Sequence, residues 1–264
     1  MKILEWPQFL EEPLPFGGKT SAITVGVFDG VHIGHKALID RIVAHNSVPV
    51  VITFRQSHYK KDRSGKQEFF GDVQSFRQKM AKFEELGVSE TIIVEFNESF
   101  RHMHGKDFFC KLLDHGRMNY LVVGSDFRCG YQLDTDALKL KEFTGLYSVP
   151  TDIIPRLTYR GRPISSSEVR SAIILGNLND ARAMLGRPYC LDLDGASVSH
   201  ISGGIAYDTS GLGRVLPPPG RYHVVFAGES GDHGKQGEIL VDKEKVSMEG
   251  NLSGIKPKFL EFIQ

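Results

Sequence analysis

Between Ala22 and Leu185, short runs rich in Val, Ile and aromatic residues alternate with segments whose apolar residues recur three and four apart. The first pattern is that of a strand buried on both faces, and the second that of a helix with one apolar stripe. Strands are expected over 22–27, 49–54, 91–94, 120–124 and 149–154, and helices over 35–44, 73–86, 105–113, 166–175 and 178–185. Such alternation predicts an α/β fold with a mostly parallel sheet covered by helices. The polar stretch 56–67, carrying Lys60, Lys61, Arg63 and Lys66, follows neither period and is expected to be a mobile surface loop. Beyond Gly186-Arg187-Pro188-Tyr189 the texture changes: Gly and Pro become frequent, Pro217-Pro218-Pro219-Gly220 turns the chain, and 222–227 and 237–241 read as antiparallel strands. The expected organisation is therefore an α/β domain over 1–189 and a small all-β domain over 190–264.

At 264 residues, 41% hydrophobic and 24% charged, the chain can bury a large core and a smaller one. Lys+Arg and Asp+Glu are equal at 32 each, so no summed field favours nucleic acid or an anionic membrane, and neither is expected as a partner. Phosphate binding would have to be local. Cys110, Cys129 and Cys190 lie far apart without a CxxC pair, which supports neither a zinc site nor a disulfide framework and fits a reducing compartment. The first residues lack a signal-peptide core and no stretch is long enough to span a bilayer, so a cytoplasmic protein is expected.

Candidate chemistry concentrates in Gly26-Val27-Phe28-Asp29-Gly30-Val31-His32-Ile33-Gly34-His35, where the first of these strands should end and the next helix begin. In open α/β sheets ligands bind at that end of the strands. Gly26, Gly30 and Gly34 allow close approach, and the free amides of a helix start favour an anion. His32 and His35 are three apart, so both rings can point at one triphosphate, whose charge favours their protonated form. A plain glycine-bearing turn with exposed histidines, or a metal pair, fits the same residues.

Two further segments carry polar groups to strand or helix ends. In Ile164-Ser165-Ser166-Ser167-Glu168-Val169-Arg170, Ser165 suits an N-cap with Glu168 as reciprocal partner, while Ser166 and Arg170 share a helix face that could grip phosphates. In Leu121-Val122-Val123-Gly124-Ser125-Asp126-Phe127-Arg128 a buried-strand pattern runs into small and acidic residues, where Asp126 could accept a hydrogen bond and Phe127 could stack on a planar ring. A capping box and a core strand followed by a turn are the plainer readings of these two segments.

The stretch from Gly26 to His35, followed by Lys36-Ala37-Leu38, resembles the signature of bacterial FAD synthetases. That resemblance runs from about Ile23 to Leu185-Gly186-Arg187-Pro188-Tyr189. It implies a Rossmann-like HxGH nucleotidyltransferase that transfers AMP from ATP, with Mg²⁺, to FMN, giving FAD and pyrophosphate. It implies that His32 and His35 handle the ATP phosphates, with Gly26, Phe28, Asp29, Gly30, Gly34, Ser165, Ser166 and Ser167 also binding ATP. Arg170 would stabilise the departing pyrophosphate, and Phe54, Asp126 and Phe127 would border the flavin. No direct protein metal ligand is expected, because the phosphates hold the ion. The sequence departs from the family pattern at Cys129, commonly phenylalanine, at Leu133, usually arginine, at Thr135, often glycine, and at Arg55-Gln56-Ser57-His58, which replaces a proline-flanked histidine. The Pro-Thr-Ala-Asn signature of the riboflavin kinase barrel is absent after Cys190, so a degenerate barrel without kinase activity is expected. A different acceptor, or a non-catalytic flavin or nucleotide sensor, are the alternatives.

Overall fold

The computed structural model describes residues 1–12, 16–55, 59–61, 67–69, 71–228, 234–249 and 257–263, with the backbone alone at 59–61, 67–69 and 249. Its contacts group the chain into two compact units, 1–56 with 80–163 and 57–79 with 164–264.

The first unit is built on a six-stranded parallel sheet in the spatial order Lys2–Glu5, Glu90–Val94, Val48–Phe54, Ser21–Val25, Met118–Gly124 and Thr151–Ile154. All five residues of Ser21–Val25 are buried, as expected of a central strand covered on both faces. Ile23, Val25, Val50, Ile52, Leu121 and Val123 join Phe9, Phe108, Phe109 and Leu112 in one apolar cluster. Each such side chain contributes roughly 1.5–3 kcal/mol through burial. Strand order reverses between Ser21–Val25 and Met118–Gly124, so the loops leaving these two strands flank a topological switch point, where α/β sheets bind ligands.

The expected strands and helices of this unit all form, with shifted ends. Helix Ile33–Val43 starts two residues before the expected position because His32 caps it. The last strand starts at Thr151 rather than Val149, since Pro150 has no N–H for the ladder and the Val149 N–H closes the preceding helix on Thr144 O at 3.1 Å. Strand Lys2–Glu5 and helix Trp6–Glu11 carry no periodic signal, because only Leu4, Trp6 and Phe9 are buried in them. Helix Ala137–Gly145 was likewise not expected; it is capped by the Asp136 side chain, which accepts from the N–H groups of Leu138 and Lys139.

The second unit carries a seven-stranded antiparallel sheet in the order Cys190–Asp192, Phe259–Phe262, Gly220–Ala227, Lys235–Val241, Lys245–Glu249, Gly204–Asp208 and Ser197–Ile201. Among the described residues its two outer strands pair on one side only, so the sheet is open. The all-β segment starts at Cys190 as expected, yet the compact unit also takes in 57–79 and 164–189. Long-range polar contacts explain this. The Arg77 guanidinium donates through both Nε and Nη2 to the buried Asp192 carboxylate, with the Nε contact at 2.6 Å. Gln78 Nε2 donates to Cys190 O at 3.0 Å, and Arg187 Nη2 to Gln74 Oε1 at 3.1 Å. No local periodicity announces partners more than a hundred residues apart.

Helices Ser166–Ile174 and Leu178–Leu185 form as expected, the second stopping at Gly186 in a left-handed conformation with φ of 70°. The expected loop is corrected at both its ends: Tyr59–Lys61 pairs antiparallel with Gln67–Phe69. A two-stranded ribbon is held by backbone hydrogen bonds, which a polar composition does not reveal. The rest of that loop, with Arg63 and Lys66, and Gln56, Ser57 and His58 of the altered segment, lie outside the described residues.

Candidate functional site

The bend from Gly26 to His35 turns through three positive φ angles, at Phe28 (54°), Gly30 (77°) and Val31 (35°). For a β-branched residue such as Val31 this conformation is strained, at a cost on the order of 1–3 kcal/mol that the surrounding packing must offset. Phe28 supplies part of that packing. It is buried, with its ring edge-on to His35 at 5.1 Å and to Phe83 at 5.6 Å. Gly26 sits close to the Phe28 ring, and a Cβ there would lie 3.1 Å from it. Gly34 is closely approached in the same way: a Cβ there would stand 3.1 Å from His32 Nδ1.

His32 is buried and caps the helix, its Nδ1 accepting the N–H of His35 at 3.2 Å. With Nδ1 turned to the helix, the capped ring presents Nε2, the nitrogen left to donate to a ligand. The two imidazoles stack with centroids 3.5 Å apart and planes 16° from parallel. Asp29, within the bend, is buried.

The same bend forms one wall of a cavity of about 410 Å³, within the size range of small-molecule sites. Its lining comes from the C-terminal ends of three neighbouring strands: Val25 to Phe28, Phe54, and Gly124 with Asp126 to Gly130. His35 and Leu38 line it from the helix, and Phe96, Phe100, Met103 and Phe108 complete an aromatic wall. Phe54 packs on Phe96 at 5.0 Å, and Phe96 on Phe100 at 5.4 Å. Thus the structure brings Gly26, Phe28, His35, Phe54, Asp126 and Phe127 to one cavity, with His32 stacked directly behind His35. Phe96, Phe100, Arg101 and Met103 are lining residues that sequence reasoning missed. The helix among them, Glu98–Arg101, is a single turn and leaves no periodic trace.

Asp126 is exposed and ion-paired to Arg156. Partial burial works against its ionisation, but the hydrogen bond and charge of Arg156 outweigh it and hold the carboxyl below the ordinary range, with His32 adding a smaller pull. Phe127 is half-buried, edge-on to Phe109 at 6.3 Å. Cys129 and Leu133, two of the positions that depart from the family pattern, both line the cavity. Burial, reinforced by Asp134, pushes the Cys129 thiol up to about 12, so it is a wall and not a nucleophile. The third departure, Thr135, donates to Asp134 at 2.9 Å; the same carboxylate accepts from His104 Nδ1 at 2.5 Å and from the Gly105 N–H at 3.1 Å.

In the second unit, Ser165 caps helix Ser166–Ile174 by accepting the Glu168 N–H at 3.2 Å. Among the described hydrogen bonds the reciprocal half of the expected box is not made. Ser166 and Ser167 occupy the first turn, and Arg170 is buried, its Nε donating to Gly71 O at 2.8 Å. Gly71 has φ of 73°, and a Cβ there would meet Val215 N at 2.7 Å. Arg170 therefore pins a tight backbone crossing, a structural task that the spacing did not announce. Among the described residues, no three His, Cys, Asp or Glu are grouped to hold a metal ion, and no helix is long and apolar enough to cross a membrane.

Residues 18–168 match the family model described as FAD synthetase. Similar curated proteins include the bifunctional riboflavin kinase/FMN adenylyltransferase of Buchnera aphidicola subsp. Acyrthosiphon pisum, 27% identical over 176 residues, covering 65% of this chain and 56% of that one. The protein of the same description from Escherichia coli is 27% identical over 217 residues, covering 78% and 68%. An FAD synthetase of Listeria monocytogenes is 25% identical over 175 residues, covering 65% and 70%. The matched region is thus little more than half the length of the Buchnera relative. Among solved structures, one described as a macrolide-efflux protein from Streptococcus pneumoniae superposes with a TM-score of 0.80 at 20% identity, covering 100% of this chain and 90% of that one, which shows a shared fold.

Proposed function

Since this chain belongs to the FAD synthetase family, we propose that it is an FMN adenylyltransferase. A phosphate oxygen of FMN attacks the α phosphorus of ATP, the bond from that phosphorus to the bridging oxygen breaks, and pyrophosphate leaves with the bonding electrons. FAD is the other product. In-line displacement at phosphorus needs positioned charge more than a covalent protein intermediate. The observation that carries the reading is the junction of two kinds of surface at His35: a glycine-lined bend with stacked imidazoles, and an aromatic cavity of about 410 Å³. The first suits phosphates and the second a flat, three-ring system.

In this mechanism the Nε2–H of His32 donates to phosphate oxygens, and His35, stacked on it, serves the same charge. The first-turn amide at Gly34 adds a further donor. Mg²⁺ arrives with ATP as part of the substrate and is held by its phosphates. Phe54 and Phe127 border the isoalloxazine, and Asp126, ionised beside Arg156, accepts a hydrogen bond from its polar edge. Ser165, Ser166, Ser167 and Arg170 are assigned to the triphosphate and the leaving pyrophosphate on the likeness of their segment to the family motif. Riboflavin kinase activity is absent in this proposal, since the second unit lacks the Pro-Thr-Ala-Asn signature.

The test is direct. Purified protein with FMN, ATP and Mg²⁺ is followed for FAD by chromatography and for pyrophosphate by a coupled assay, beside a reaction with riboflavin in place of FMN. FAD from FMN and no FMN from riboflavin is the expected result. Pyrophosphate release with another acceptor, but none with FMN, would replace the acceptor and keep the chemistry.

A further inference from the structure

Arg101 closes the single-turn helix Glu98–Arg101 and stands exposed on the wall of the aromatic cavity, beside Phe96 and Phe100. Its Nε donates to Phe96 O at 3.2 Å. That bond fixes the plane of the guanidinium and leaves its two terminal amino groups for another acceptor. The other charged side chains of the lining have opposite charges nearby. Asp126 is ion-paired to Arg156, and Arg128 lies across the strand pair from Asp136, whose carboxyl it helps to keep ionised. Among the described residues, no carboxylate lies within ion-pair distance of Arg101.

An oriented guanidinium without a counter-ion, at the edge of a chamber walled mainly by apolar and aromatic side chains, is matched by a flat ring that carries an anionic group. We infer that Arg101 is a specificity-determining residue: it receives the phosphate of the flavin nucleotide on binding and makes the cavity prefer FMN to the neutral parent, riboflavin. The inference rests on the proposed flavin acceptor and deepens it. A two-pronged contact from guanidinium to phosphate gives direction as well as charge, which an ammonium group at the same place does not. The neutral ring still finds the aromatic wall, so riboflavin binds without help from Arg101.

The experiment titrates flavin fluorescence with the full chain as wild type, Arg101→Ala and Arg101→Lys, using FMN and riboflavin separately and no ATP. Expected for Arg101→Ala is a loss of FMN affinity on the order of ten- to hundredfold, the scale of a lost charge-assisted hydrogen bond, with riboflavin affinity unchanged. Arg101→Lys should fall between. Added salt should weaken FMN binding to the wild type and have little effect on Arg101→Ala. Equal losses for both flavins, or unchanged preference in both variants, would overturn the inference while FAD formation by the wild type left the proposed function standing. A wild type that binds neither flavin would end both.

Discussion

His32 and His35 are joined twice: the Nδ1 of the first accepts the main-chain N–H of the second at 3.2 Å, and their rings stack 3.5 Å apart. One side chain thus both starts a helix and presents a donor. The two tasks can be separated by substitution. His32→Ala should lower kcat for FAD formation by roughly 10²- to 10³-fold, the scale for one lost donor to developing charge. It should also cost about 1 kcal/mol of stability through the lost cap. His32→Asn keeps a capping oxygen, so its Tm should stay near wild type while its activity falls as far. Equal activity in both variants and wild type would remove the histidine from the chemistry.

Gly34 permits the stack. Its φ is ordinary, so Gly34→Ala brings no backbone strain and gains helix propensity, but the new Cβ would stand 3.1 Å from His32 Nδ1 and 3.2 Å from Cε1. The ring must give way. Thermal denaturation should show an unchanged or raised Tm, whereas kcat should fall about tenfold or more, as expected when a catalytic group is slightly misplaced. A variant as active as the wild type would show that the position of the His32 ring is not critical.

Arg170 has been given a catalytic role by likeness and a structural one by geometry, since its Nε holds Gly71 O at 2.8 Å. Arg170→Ala should therefore lower both Tm and kcat, the former by removing the partner of a buried carbonyl at a cost of about 1–3 kcal/mol. Arg170→Lys restores a cation but not the fork. If pyrophosphate departure depends on bidentate contact, the lysine variant should recover stability more than kcat, with KM for FMN unchanged. Full recovery of kcat would reduce the residue to a point charge.

The ion pair of Arg77 with Asp192 predicts a pH effect in the second unit. Burial opposes ionisation of Asp192, but hydrogen bonds from Arg77, Ser75 and the Asp194 N–H, with the Arg77 charge, outweigh it and hold the carboxyl below its ordinary value of 3.8. A carboxyl depressed in the folded state stabilises fully above the ordinary value and loses that contribution as pH falls through the lower folded value. Asp192→Asn should thus cost about 3 kcal/mol near neutral pH, where it leaves the guanidinium without its anion. The gap between wild type and variant in denaturant midpoint should narrow below about pH 4. A gap constant with pH would show that the carboxylate charge is not what ties 71–79 to the sheet.

The repeating patterns of this chain, local by nature, announced the local structure. Five buried strands, five helices and the antiparallel segment from Cys190 follow from apolar spacing, and the glycine and histidine spacing marked the bend at the switch point. Side-chain direction alternates or rotates with fixed period, so a buried face leaves its trace in order along the chain. What the order could not carry is proximity between distant positions. Phe96, Phe100 and Arg101 become cavity wall only because the strand Glu90–Val94 lies beside Val48–Phe54. Gln74, Arg77 and Gln78 join the second unit through Arg187, Asp192 and Cys190, partners that no spacing rule links to them. The capping role of His32 belongs to the same class: it depends on where one ring nitrogen meets one backbone hydrogen, and a hydrogen bond forms between atoms brought together in space, whatever their separation in sequence.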